Sequence, residues 1–130
     1  MKIIGHRGAA GLAPENTIEG MLKAIETGVD YIEIDVWKTI DDEVIVFHDA
    51  YLDRLSNSSG FVNEQTYSSI RKVTLANSNH QIPLLADVIK IAKDNNTRLL
   101  VEVKEEIALE KTVQILTKEL PYSEFIIGSF

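Results

Sequence analysis

The sequence predicts an α/β fold built on a parallel sheet. Short apolar runs with alternating character, at 2–5, 29–37, 98–104 and from 125 onward, are interleaved with amphipathic stretches of helical spacing at 17–27, 84–94 and 106–119. Strands that alternate with helices in this way form parallel sheets. One further run, 44–48, follows 29–37 after only Lys38-Thr39-Ile40-Asp41-Asp42-Glu43. A parallel crossover needs about a dozen residues, so these two runs are predicted to form an antiparallel hairpin.

Each element has its own signal. Residues 2–5 read as a buried strand ending at Gly5, and 9–15 as a loop with Gly11 and Pro14. Asn16 and Glu19 stand at capping-box spacing ahead of Ile18, Met21, Leu22 and Ile25, and Gly28 suits the C′ position, so a helix is predicted over 17–27. In 29–37 the alternation is strict: Ile32, Ile34 and Val36 face one side, and Tyr31, Glu33, Asp35 and Trp37 the other. A turn centred on Asp41-Asp42 would return His48 close to Glu33 and Asp35. Residues 49–81 are polar and weakly periodic, with a turn at Asn57-Ser58-Ser59-Gly60 and one short helix around 66–72. Pro83 opens a helix over 84–94 with Leu85, Val88, Ile89 and Ala92 on one face, and Asn95-Asn96 ends it. In strand 98–104, Leu100, Glu102 and Lys104 share one face, and Leu99, Val101 and Val103 the other. A helix over 106–119 follows, Pro121 breaks it, and Phe125-Ile126-Ile127-Gly128 begins a last strand.

Composition narrows the function. The 130 residues fit one domain, 45% are hydrophobic, and neither repeats nor a linker interrupt them. A net charge of -7 makes a nucleic-acid binder a poor candidate, because phosphate contacts need clustered Lys and Arg. With no Cys, thiolate sites and disulfides are excluded, and oxygen or imidazole donors favour a hard cation such as Mg²⁺ or Ca²⁺. The start lacks a secretory h-region, and no apolar run reaches the roughly 20 residues that span a bilayer. A cytoplasmic protein is therefore expected.

The chemistry-bearing residues gather at strand ends. His6-Arg7 follows the first strand, Glu33 and Asp35 sit on the second, His48-Asp49 closes the hairpin, and Glu102 and Lys104 lie on 98–104. Glu33 and Asp35, two apart, leave one face, where two carboxylates in a buried strand are costly unless something pairs with them. Two readings stay open: Glu33, Asp35 and Glu102 hold a divalent cation, or they form an ion-pair cluster with Lys104, Arg7 and Lys38. His6 and His48 suit proton transfer on either side of a phosphodiester, or are simply hydrogen-bonded strand-end residues. Arg7 could fork onto a phosphate oxygen or pair with an acid, and Lys104 could hold developing negative charge or balance Glu102. His80, among Asn77, Ser78, Asn79 and Gln81, reads as solvated loop, and Trp37 and Phe47 as hairpin packing.

These residues resemble the glycerophosphodiester phosphodiesterase family. The match runs through His6-Arg7-Gly8, Pro14-Glu15-Asn16-Thr17, Glu33-Ile34-Asp35-Val36, Thr39 with Asp41, His48-Asp49, Leu52-Asp53-Arg54, Ile82-Pro83-Leu84-Leu85, Glu102-Val103-Lys104 and Gly128-Ser129-Phe130. It implies a TIM barrel, (β/α)8, with a small insertion after the hairpin, and hydrolysis of a small-molecule glycerophosphodiester to glycerol 3-phosphate and an alcohol, a step of lipid and glycerol metabolism. It further implies Glu33, Asp35 and Glu102 as metal ligands, His6 and His48 as general acid and base, and Arg7 and Lys104 as phosphate contacts. The chain departs from the family pattern at Asp42, where a turn Gly is usual, at Leu55-Ser56 after Asp53-Arg54, in a stretch expected to lie away from the site, and at Ala86.

Length is the largest departure. A (β/α)8 barrel takes about 250 residues, so residues 1–130 are expected to be the N-terminal part of such a domain: a partial barrel with about four barrel strands, the hairpin and the insertion. Such a sheet would leave an open edge and a site without its opposing wall. A longer polypeptide, self-association of two halves, or an inactive remnant would each account for it. Two other functions compete: a phosphodiester lyase that uses the same residues but releases a cyclic phosphate, and a non-catalytic metal- or phosphate-binding fragment.

Overall fold

A computed structural model describes residues 1–129; Phe130, the last residue of the closing motif, lies outside the described residues. The elements in chain order are β1 (Ile4–Gly5), α1 (Ile18–Glu26), β2 (Tyr31–Lys38), β3 (Val44–Val46), α2 (Tyr67–Ile70), α3 (Leu85–Asp94), β4 (Arg98–Val103), α4 (Leu109–Glu119) and β5 (Phe125–Ser129), with short 3₁₀ turns at Val62–Glu64, Glu106–Ala108 and Tyr122–Glu124.

Four parallel strands form the sheet in the order β1-β2-β4-β5, and β3 pairs antiparallel with the end of β2. The predicted hairpin is therefore present, with Val36 opposite Val46 and Lys38 opposite Val44. Its turn places Asp42 at φ 68, a left-handed conformation that Gly adopts freely and Asp tolerates. The Asp42 carboxylate pairs with Lys38 beneath it, and the family's usual Gly is dispensable here.

Alternation decides which face meets the helices. Ile32, Ile34 and Val36 of β2 and Leu99, Val101 and Val103 of β4 pack in one core with Met21 and Ala24 of α1, with Leu85, Val88, Ile89 and Ala92 of α3, and with Leu116 of α4. Burying side chains of this size stabilises by about 1.5–3 kcal/mol each. The opposite face carries Glu33, Asp35 and Glu102, with Ile4 and Ile126 half exposed beside them.

Three details differ from expectation. The first strand, read over 2–5 as buried, is only Ile4–Gly5, and Ile4 is half exposed. Asn16 does not cap α1: Thr17 does, its hydroxyl accepting the N–H of Gly20 at 2.9 Å. Residues 49–81 also have more order than their polarity predicts. Isolated bridges pair Tyr51 with Phe61, Ser56 with Leu75 and Thr74 with Gln81. Inside them Ile45, Phe47, Leu52, Val62, Ile70, Val73, Leu75 and Ile82 make a second small core. The excursion is thus fastened to the hairpin through Ile45 and Phe47.

Candidate active site

The site is built on the register of two neighbouring strands. In the β2–β4 pair, Asp35 lies directly opposite Glu102, and the pleat puts Glu33 on the same face one step earlier. One carboxylate oxygen from each of the three acids lies within 4.8 Å of the others. Asp35 is fully buried, Glu33 is 7% exposed, and the Glu102 side chain is partly open.

Crowding acids in a buried place has an electrostatic consequence. Burial pushes the Glu33 carboxyl up to about 7; the hydrogen bond from the Arg7 N–H opposes this, and the Asp35 and Glu102 charges add to it. Burial acts on Asp35 in the same direction. Hydrogen bonding with Glu102 and Asn16, together with the Lys104 and His48 charges, outweighs it and holds Asp35 below the usual carboxylate range. The group therefore shares its negative charge unevenly, with Glu33 the more readily protonated and Asp35 the more readily ionised.

The loop after β1 folds over these acids. Arg7 stands at φ 52 and Asn16 at φ 54, strained values for non-glycine residues that are found where surrounding contacts enforce them. Those contacts are specific. The Arg7 N–H donates to Glu33 Oε1 at 2.9 Å, the Gly8 N–H to the Glu33 carbonyl at 3.1 Å, and the Asn16 N–H to the Arg7 carbonyl at 2.8 Å. Asn16 then grips Asp35 twice: its Nδ2 donates to Oδ2 at 3.0 Å, and its Oδ1 accepts the Asp35 N–H at 3.3 Å.

Two of the three cations named from the sequence, Arg7 and Lys104, reach this group, whereas Lys38 pairs with Asp42 of the hairpin turn. Arg7 Nε lies 3.6 Å from Asp35 Oδ2, and Nη1 donates to Glu15 Oε2 at 3.0 Å. Lys104 Nζ lies 3.4 Å from Asp35 Oδ1 and 3.5 Å from Glu102 Oε1. The pairing is incomplete, because among the described residues Asp35 Oδ1 and Arg7 Nε are buried without a hydrogen-bond partner.

The two histidines differ in setting. His6 Nε2 lies 3.8 Å from Glu33 Oε1 on a largely exposed ring. His48 is less open: its Nδ1 meets Asp49 Oδ1 at 2.7 Å, and its carbonyl accepts the Trp37 indole N–H at 3.1 Å. Trp37 thus does more than pack. Asp49 is held at about 2, chiefly by hydrogen bonding with Arg54, which together with the His48 contact and the two positive charges outweighs burial. Arg54, read from the sequence as remote, lies in the site: its Nε and Nη2 fork onto Asp49 at 2.8 Å each, and Nη2 is 3.8 Å from Glu15. His80 is not simply solvated either, since it pairs with Glu19 of α1.

The model of the "Glycerophosphoryl diester phosphodiesterase family" matches residues 6–125. The chain belongs to that family. Among its relatives, the glycerophosphodiester phosphodiesterase of Caldanaerobacter subterraneus subsp. tengcongensis is 35% identical over 140 residues, a match covering 98% of this chain and 57% of the relative. The enzyme of the same name from Bacillus altitudinis is 32% identical over 125 residues, covering 91% and 51%. Among solved structures, an Oleispira antarctica phosphodiesterase in complex with the product sn-glycerol-3-phosphate superposes with a TM-score of 0.92 at 27% identity, covering 100% of this chain and 57% of that one. A glycerophosphodiester phosphodiesterase from Agrobacterium tumefaciens gives 0.86 at 27% identity, covering 100% and 58%. The chain spans about half the length of the curated relatives it matches, and its four parallel strands are a partial TIM barrel of this glycerophosphodiester phosphodiesterase type.

In this family setting the donor set fits a hard divalent cation. It offers three carboxylates, one of them with a buried oxygen that no hydrogen bond satisfies among the described residues. Two contributors escaped the sequence reading. Asn16 sits at cap spacing but serves Asp35, and Arg54 lies in a stretch without periodicity. Their only sequence signal was membership of the quoted family motifs.

Proposed function

We propose that this chain carries the metal-binding and acid–base machinery of a glycerophosphodiester phosphodiesterase, which hydrolyses a glycerophosphodiester to glycerol 3-phosphate and an alcohol. The observation that carries the proposal is the register of β2 and β4, which gathers Glu33, Asp35 and Glu102 on one face with oxygens within 4.8 Å of one another. Those three residues would hold Mg²⁺ or Ca²⁺, and the bound cation would neutralise the acids and draw charge from the phosphoryl oxygens. That the product of the Oleispira phosphodiesterase is sn-glycerol-3-phosphate supports the substrate class.

The protein groups have separable tasks. Arg7 and Lys104 stand beside the cradle, where they would contact the phosphate. His48, with its hydrogen held on Nδ1 by an ionised Asp49, has Nε2 for proton transfer. His6, open to solvent beside Glu33, supplies the second imidazole. One accepts the proton of the attacking group, and the other gives a proton to the departing alcohol.

The test is product analysis by ³¹P NMR on glycerophosphocholine with Mg²⁺ or Ca²⁺, using the full-length protein. Free glycerol 3-phosphate is the expected product. A cyclic phosphate that persists would contradict hydrolysis, and cation binding without turnover would reduce the chain to a binding module.

A further inference from the structure

We propose that Arg54, which lies in the excursion and outside the acid cradle, is a positioning residue for His48: it fixes Asp49, and Asp49 fixes the imidazole. This rests on the reading of His48 as a proton-transfer group. The geometry is a fork. Arg54 Nε donates to Asp49 Oδ2 and Nη2 to Oδ1, each at 2.8 Å, so both oxygens and the carboxylate plane are set at once. Oδ1 also meets His48 Nδ1 at 2.7 Å. An ionised Asp49 can only accept, so the hydrogen in that contact belongs to Nδ1, and Nε2 is left for the substrate side.

The remaining freedom of His48 is small. Its carbonyl is held by the Trp37 indole at 3.1 Å, which anchors the backbone and leaves ring rotation for Asp49 to restrict. Arg54 is itself on an ordered turn. Leu52 is buried, its carbonyl accepts the Ser56 hydroxyl at 2.7 Å, and the Leu55 carbonyl accepts the Ala76 N–H at 2.8 Å. The same guanidinium stands 3.8 Å from Glu15, whose other oxygen holds Arg7 at 3.0 Å. One residue of the excursion therefore braces the partners of both His48 and Arg7, which gives the excursion a task in the chemistry. An exposed ion pair adds little stability on its own, so loss of Arg54 should register in the reaction before it registers in the fold.

A double-mutant cycle in the full-length protein decides this, with glycerophosphocholine as substrate and a saturating divalent cation. Arg54→Gln is expected to lower kcat about 10-fold with little change in KM. Arg54→Lys should recover little of the loss, because an ammonium cannot fork. In a His48→Ala background, Arg54→Gln should cost far less, only what passes through Glu15 to Arg7. In ¹⁵N NMR the His48 ring should show the Nδ1–H tautomer, and Arg54→Gln should broaden or shift that signature. An equal loss from Arg54→Gln with and without His48 would overturn the proposal, as would an unchanged kcat. If His48→Ala is itself silent, both this inference and the role given to His48 fail; if only Arg54→Gln is silent, the inference alone fails.

Discussion

A carboxylate buried on a strand is tolerable only if its charge is answered, and Asp35 shows how this chain answers it. Asn16, Arg7 and Lys104 converge on it from the loop after β1 and a neighbouring strand end, yet one oxygen lacks a hydrogen bond among the described residues. Asn16→Ala is expected to lower divalent-cation affinity about 10–100-fold, because it frees Asp35 to turn out of the cradle; titration calorimetry reads this, and an unchanged affinity would remove Asn16 from the site. His6→Ala and His48→Ala should each lower kcat by about 10²-fold or more, the usual scale of lost acid–base catalysis, and an unchanged rate would remove that histidine. The acids were legible from sequence because period-two spacing forces Glu33 and Asp35 to one face. Asn16 was misread because cap spacing and site spacing coincide there. Arg54 was misread because its role depends on how an aperiodic segment folds back, which no periodicity encodes.

At the scale of elements, the helices and parallel strands were written in apolar periodicity, and the hairpin in the shortness of its connection. The excursion was not, since its core residues are spaced by bridges between loops. The turn from β1 into the site has little slack. A Cβ on Gly5 would lie 2.3 Å from the carbonyl oxygen of Gly8 and 3.1 Å from Ala24 Cβ. Gly5→Ala must therefore push the loop carrying Arg7 away from Glu33, at a cost of about 1–3 kcal/mol. Denaturant unfolding measures that loss, and a variant as stable as the parent would mean that the loop relaxes without penalty.

For the whole molecule, the site and the stability are linked through pH. Glu33 titrates near 7 in the fold against a reference of 4.5, so between those values the folded chain holds more protons than the unfolded one, and stability falls as pH rises through that window. Asp49 works the other way: held at about 2 against 3.8, it adds stability above 3.8 that disappears as pH falls towards 2. With a chelator present, these two groups together favour stability near pH 4, with decline toward neutrality. A saturating divalent cation should remove that decline by taking the place of the proton. Chemical unfolding at several pH values, with and without cation, checks both limbs; a profile that rises from 4.5 to 7 under chelation would contradict the assignment of Glu33.

Whether the three acids hold a cation is read most directly from a crystal structure of the chain soaked with Mg²⁺ or Ca²⁺. One ion bound by Glu33, Asp35 and Glu102 is expected, with oxygens at about 2.0–2.6 Å and Lys104 and Arg7 turned from the acids toward the phosphate side. Carboxylates that stay paired with Lys104 and Arg7 at saturating cation, with no ion between them, would show a structural ion-pair cluster instead.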